Sequence, residues 1–113
     1  MGFLTILKII ASVATAATGA LALIKPTAVY GFTGLLANGP RGVSEIRAIF
    51  GGLFISMGVV PLFIGKPGYQ MLGFAYLAIA VARLFSMFFD KSFDQSNIIS
   101  LVIEIVLGVI LVL

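Results

Sequence analysis

Four long apolar stretches, separated by short polar or glycine- and proline-bearing breaks, organise the chain. The first covers residues 2–24, carries Lys8 as its one charge, and is closed by Lys25-Pro26. The second covers residues 44–64 with Arg47 in its first turn, the third 69–89 with Arg83, and the fourth 97–113 with Glu104. A helix of about 20 residues at 1.5 Å each crosses the hydrocarbon core of a bilayer. Each stretch therefore predicts a transmembrane helix, the fourth being the shortest. The alanine-rich run from Ala11 to Ala22 offers small-residue cleavage sites. The length of the first stretch and its lone early charge at Lys8 nevertheless favour a span over a signal peptide.

The breaks fix neighbours. Gly65-Lys66-Pro67-Gly68 reads as a tight turn, making the second and third spans an antiparallel pair. The polar segment from Asp90 to Ser96 makes the third and fourth another hairpin. The link from Lys25 to Val43 is longer and only weakly polar. Pro26 suits a first helical position, and Asn38-Gly39-Pro40 terminates what precedes it, so a short helix in the interface or folded back on the bundle is expected, with an irregular loop as the alternative. The predicted fold is an all-α membrane protein: one domain over residues 1–113, a compact four-helix transmembrane bundle with a short interfacial helix or loop between helices 1 and 2. Small residues at four-residue spacing predict close helix approach: Ser12, Ala16 and Ala20; Gly52 and Ser56; Ala78, Ala82 and Ser86; Ser100, Glu104 and Gly108.

Composition agrees with lipid as the solvent. Of the 113 residues, 61% are hydrophobic and 10% charged, and mean hydropathy is +1.23. Soluble domains run at roughly 45–50% and about 25%. A soluble chain of this length buries only about two-thirds of its unfolded surface, too little to hide so much apolar area. The absences narrow the chemistry. With Cys 0 there is no disulfide, thiolate nucleophile or cysteine-held metal, and with His 0 the usual general base and haem ligand are missing. No nucleophile–base pair or metal constellation can be assembled, so no enzyme and no cofactor is expected. The net charge of +3 comes from seven scattered Lys and Arg residues with no basic run, which argues against nucleic acid and for contacts to lipid phosphates. Lys8 and Lys66 fall on one membrane side, and Lys25, Arg41, Arg47 and Lys91 on the other, the side the positive-inside rule makes cytoplasmic.

The sharpest feature is a matched pair. In a hairpin centred on the Asp90–Asn97 segment, Arg83 and Glu104 each stand seven residues from the loop edge, about 10 Å into the membrane. A lone charge there costs at least about 2.5–3.5 kcal/mol, which a bidentate partner offsets. Tyr76 shares a helix face with Arg83, and Ser100 shares the small-residue stripe of Glu104. Glu45 and Arg47 start the second span on the same membrane side, within a turn or two in depth, and a single neutral cluster of Glu45, Arg47, Arg83 and Glu104 is the expectation. Plainer roles compete. Ser44-Glu45 reads as an N-cap and a first-turn acid, Arg47 as snorkelling to phosphate, and Arg83–Glu104 as a register-fixing ion pair.

The block Arg41-Gly42-Val43-Ser44-Glu45-Ile46-Arg47-Ala48-Ile49-Phe50-Gly51-Gly52 resembles a family of small bacterial four-helix membrane proteins catalogued as domain of unknown function four-three-four-five. Leu72-Gly73-Phe74-Ala75-Tyr76, Ala82-Arg83, and Glu104 followed by Gly108 carry the likeness along the rest of the chain. The resemblance implies a four-helix membrane fold in a bacterial cytoplasmic membrane and a shared polar core at Glu45, Arg47, Arg83 and Glu104. It implies no reaction. Small multidrug exporters have similar length, but they are built around an acid in the first span and gating aromatics including Trp, whereas this chain has Lys8 there and no Trp. The expected role is a non-enzymatic accessory or structural subunit packing against a larger membrane complex or lipids. Expected partners are membrane lipids, other membrane subunits or further copies of the chain, or an apolar ligand such as a quinone or pigment tail. The alternative is an oligomeric proton- or solute-linked transporter or channel coupled through Arg83–Glu104.

Overall fold

A computed structural model describes residues 2–113. It is all-α, with α1 (Phe3–Ile24), a 3₁₀ turn (Pro26–Ala28), α2 (Val29–Thr33), α3 (Gly39–Ile64), α4 (Lys66–Phe89) and α5 (Gln95–Val112). Helices α1, α3, α4 and α5 are each long and apolar enough to cross a membrane. The segment Ile46–Leu53 of α3 is wound as a π-helix. Principal extents of 44 × 31 × 17 Å make the bundle flat.

Helix starts lie upstream of the apolar stretches where proline sits in the first turn. Pro40 opens α3 behind Asn38, so Asn38-Gly39-Pro40 begins a helix as well as ending a loop, and α3 starts at Gly39 and not near Ser44. The reading of Ser44 as an N-cap and Glu45 as a first-turn acid therefore fails: both lie inside the helix. Arg47 is likewise more than two turns in. Pro67 opens α4 at Lys66 in the same way and reduces the turn to Gly65. Its φ of 75° and ψ of −138° suit glycine alone. The link after α1 folds back on the bundle. Val29 of α2 is fully buried with Ala22 of α1 and Ile46 of α3, and Gly34 ends α2 in the left-handed region.

Small residues set two tight helix pairs. A Cβ on Gly58 of α3 would lie 2.5 Å from the Ser12 carbonyl oxygen of α1, and one on Gly19 of α1 would lie 2.7 Å from the Ile55 nitrogen. In the other pair, a Cβ on Gly73 of α4 would lie 2.8 Å from Leu111 Cβ of α5, and one on Gly108 would lie 2.6 Å from Leu77 Cδ2. Backbones approach this closely only where side chains are absent. Two of the four expected stripes face outward instead: Gly52 and Ser56 of α3 are exposed, as are Ala78 and Ala82 of α4, while Gly51, Gly58, Gly73 and Ala80 make the buried face. Four-residue spacing marks a helix face without saying which face packs. A second core cluster of Ala11, Tyr69, Leu72 and Leu111 joins the pairs near the end away from α2.

Candidate functional site

The hairpin of α4 and α5 brings Arg83 and Glu104 together through the geometry that their equal distance from the loop requires. Arg83 Nε donates to Glu104 Oε1 at 2.8 Å and Nη2 donates to Oε2 at 2.6 Å, a fork matched to a carboxylate. Glu104 is 8% exposed, and the Arg83 side chain is 30% exposed, so the carboxylate is the deeper partner. Arg83 Nη1 also donates to Asn97 Oδ1 at 2.7 Å. Asn97 lies in the first turn of α5, so this bond lifts the guanidinium towards the loop. The Asn97 amide in turn donates to the Ser92 carbonyl and hydroxyl, locking the Asp90–Asp94 loop onto the pair.

Asn97 is a site residue that the charge pattern alone does not flag. The signal was present in its spacing: seven residues before Glu104 put both on one face of α5, two turns apart. Ser100, between them, lines a polar pocket of ≈ 210 Å³ with Arg83, Asn97, Ser92, Ser96 and Asp94.

The expected single cluster of four charges does not form. Glu45 accepts from Arg41 Nη1 at 2.7 Å, one turn earlier on α3, in an exposed pair. Arg47 donates to the Leu23 carbonyl at the end of α1. The last carbonyls of a helix lack intrahelical partners and carry partial negative charge, so Arg47 caps α1 and does not meet Glu104. The early start of α3 is the cause: it gives Glu45 a partner, Arg41, within its own helix. Tyr76 also turns elsewhere. Its hydroxyl lies 2.5 Å from Thr15 Oγ1, and because Thr15 donates to the Ala11 carbonyl at 2.8 Å, Tyr76 is the donor to Thr15. Tyr76 thus ties α4 to α1 and not to Arg83.

Other polar side chains lie on the buried face of α1, in the half of the bundle away from Arg83. Lys8 is 9% exposed and Ser12 is fully buried with no hydrogen-bond partner for its hydroxyl. The acids in ion pairs among the described residues are Glu45 and Glu104, so Lys8 has no carboxylate partner there. Among the described residues no three metal-binding side chains stand together. A groove of ≈ 250 Å³ runs between α3 and α4, walled by Leu53, Phe54, Met57, Met71, Leu72 and Ile79, with Thr15 and Tyr76 at its floor.

The sequence profile of the family described as Domain of unknown function (DUF4345) matches residues 3–113, and the chain belongs to that family. No match was found among curated proteins or among solved structures.

Proposed function

We propose that this member of a family without an assigned reaction is a small non-enzymatic accessory subunit of a bacterial cytoplasmic membrane, packing sideways against a helix of a larger membrane complex. One observation carries the reading. The fold uses Arg83 and Glu104 on one another, while the groove between α3 and α4, the two helices joined at the Gly65 turn, is apolar. A ridge of apolar side chains on a partner helix fits such a groove, and the flexible thioethers of Met57 and Met71 adapt to it. Extraction in a mild detergent followed by native mass spectrometry tests the reading. A stoichiometric membrane partner is expected, and Ala75→Trp, at a small residue that also lines the groove, is expected to fill it and release the partner while the fold survives. A bare monomer, or a groove occupied only by lipid or by a quinone or pigment tail, overturns it.

A second reading, an oligomeric proton- or solute-linked carrier, is favoured by one feature. The buried polar side chains of Lys8, Ser12 and Thr15, with half-buried Tyr76 bonded to Thr15, continue across the half of the bundle that Arg83 and Glu104 leave empty. Proteoliposomes decide this. A carrier shows pH-driven flux that Glu104→Gln abolishes in a folded protein, and native protein without flux excludes it.

A further inference from the structure

The pocket at the loop end of α4 and α5 has mainly polar walls, and its free hydrogen-bonding groups define a ligand. A guanidinium has five N–H donors. Three of those on Arg83 are spent on Glu104 and Asn97, leaving two, one on each Nη. Ser96 and Ser100 line the same space, and neither hydroxyl has a hydrogen-bond partner among the described residues. These are donors for oxygen. Phe32 and Thr33 of α2 supply the opposite wall.

Charge then narrows the choice. Glu104 neutralises Arg83, and Asp94 adds a further carboxylate to the pocket, whose own contact is a 3.3 Å hydrogen bond from the Ser92 hydroxyl. The three charges at the site sum to −1, which disfavours a bare anion and favours a ligand whose phosphate oxygens come with a cation beside them. Depth agrees. The guanidinium is drawn to the first turn of α5, where an apolar span meets its polar loop, and exposed Ile98 and Ile99 lie next to Asn97 and Ser100 on the same helix. That is the level of lipid headgroups above their acyl chains.

We propose that this pocket binds the phosphoethanolamine headgroup of a phospholipid, its phosphate on the free N–H groups of Arg83 and the hydroxyls of Ser96 and Ser100, its ammonium on Asp94. The proposal rests on membrane insertion and is independent of the accessory role, because its pocket shares no lining residue with the α3–α4 groove and needs no protein partner.

The test is lipid retention by the full chain in mixed micelles, read by native mass spectrometry with phosphatidylethanolamine and phosphatidylglycerol in equal amounts. The native protein is expected to retain the zwitterionic lipid about fivefold over the anionic one, equivalent to about 1 kcal/mol for one partly exposed ion pair. Asp94→Asn is expected to erase that preference. Ser100→Leu fills the pocket and is expected to cut retention of both lipids about tenfold by steric exclusion. If Ser100→Leu does not fold, Ser96→Leu, at an exposed position, replaces it. Equal retention of the two lipids by the native protein, undiminished retention by the filled variant, or displacement by millimolar inorganic phosphate alone would each overturn the proposal, the last by showing that free phosphate is the ligand.

Discussion

The two helix pairs solve one problem in different ways. Helices in lipid gain nothing from burying apolar surface against each other, so they need close backbone contact or polar bonds. The α4–α5 hairpin has a short loop and uses both: Gly73 and Gly108 bring the backbones together at one end, and Arg83, Glu104 and Asn97 bond them at the other. The α1–α3 pair is joined by a long link and relies on Gly19, Gly51 and Gly58, with a side-chain-to-backbone bond from Arg47 to Leu23 at its end. A short loop fixes register well enough for two side chains to meet at depth. Without one, contact passes to backbone, which is present at every register.

The largest effect is expected from breaking the side-chain lock. Arg83→Met leaves a carboxylate that is 8% exposed without its partner and is expected to destabilise by about 3–5 kcal/mol. Glu104→Leu alone strands the arginine with a similar loss, tempered by the greater exposure of Arg83. The double variant is expected to recover at least half of either loss, since apolar side chains suit the site once neither charge is left alone. Unfolding in mixed micelles by denaturant measures all three. Additive losses would show that the pair is not coupled.

Next comes the backbone contact of the other pair. Gly58→Val places a Cβ 2.5 Å from the Ser12 oxygen and the Ala16 nitrogen, both backbone atoms that cannot rotate away. Forced separation of α1 and α3 is expected to cost about 1–3 kcal/mol. Gly52→Val, on the exposed face of the same helix with nothing within 4 Å, is the control and is expected to lie within about 0.5 kcal/mol of native. If the two variants behave alike, the close contact is not what holds the pair.

A smaller effect is expected where the pairs meet. Tyr76→Phe removes the donor to Thr15 while the Thr15 hydroxyl keeps its bond to Ala11. The loss is one hydrogen bond, about 0.5–1.5 kcal/mol, and Thr15→Val in the same background is expected to add less than it does in the native protein.

The contrast also explains what could be read from residues alone. Four spans, the α4–α5 hairpin and the level of Arg83 against Glu104 follow from length, hydropathy and a short loop, which are all local quantities. The face that each small residue presents is not local: Gly52 and Gly58 look alike in sequence, and only the presence of α1 beside one of them separates them. The start of α3 was hidden because Asn38-Gly39-Pro40 serves equally as an end and as a beginning, and the choice depends on Val29 and Ile46 packing with Ala22 below it. That one ambiguity carried Glu45 and Arg47 into a cluster they do not join.

The smallest expected effect tests that separation directly. Were Glu45 part of the buried cluster, Glu45→Gln would leave a buried arginine short of charge and cost several kcal/mol. In its observed place it loses an exposed i,i+4 pair with Arg41, whose side chains are 56% and 78% accessible. Such a pair contributes about 0.3–0.5 kcal/mol and is screened by salt. Glu45→Gln is therefore expected to shift stability by no more than that, with the difference vanishing at high ionic strength, whereas the loss in Arg83→Met persists there because its stranded carboxylate is buried. A salt series on the two variants separates a solvated pair from a buried one, and equal salt sensitivity would remove the distinction between the two regions of charge.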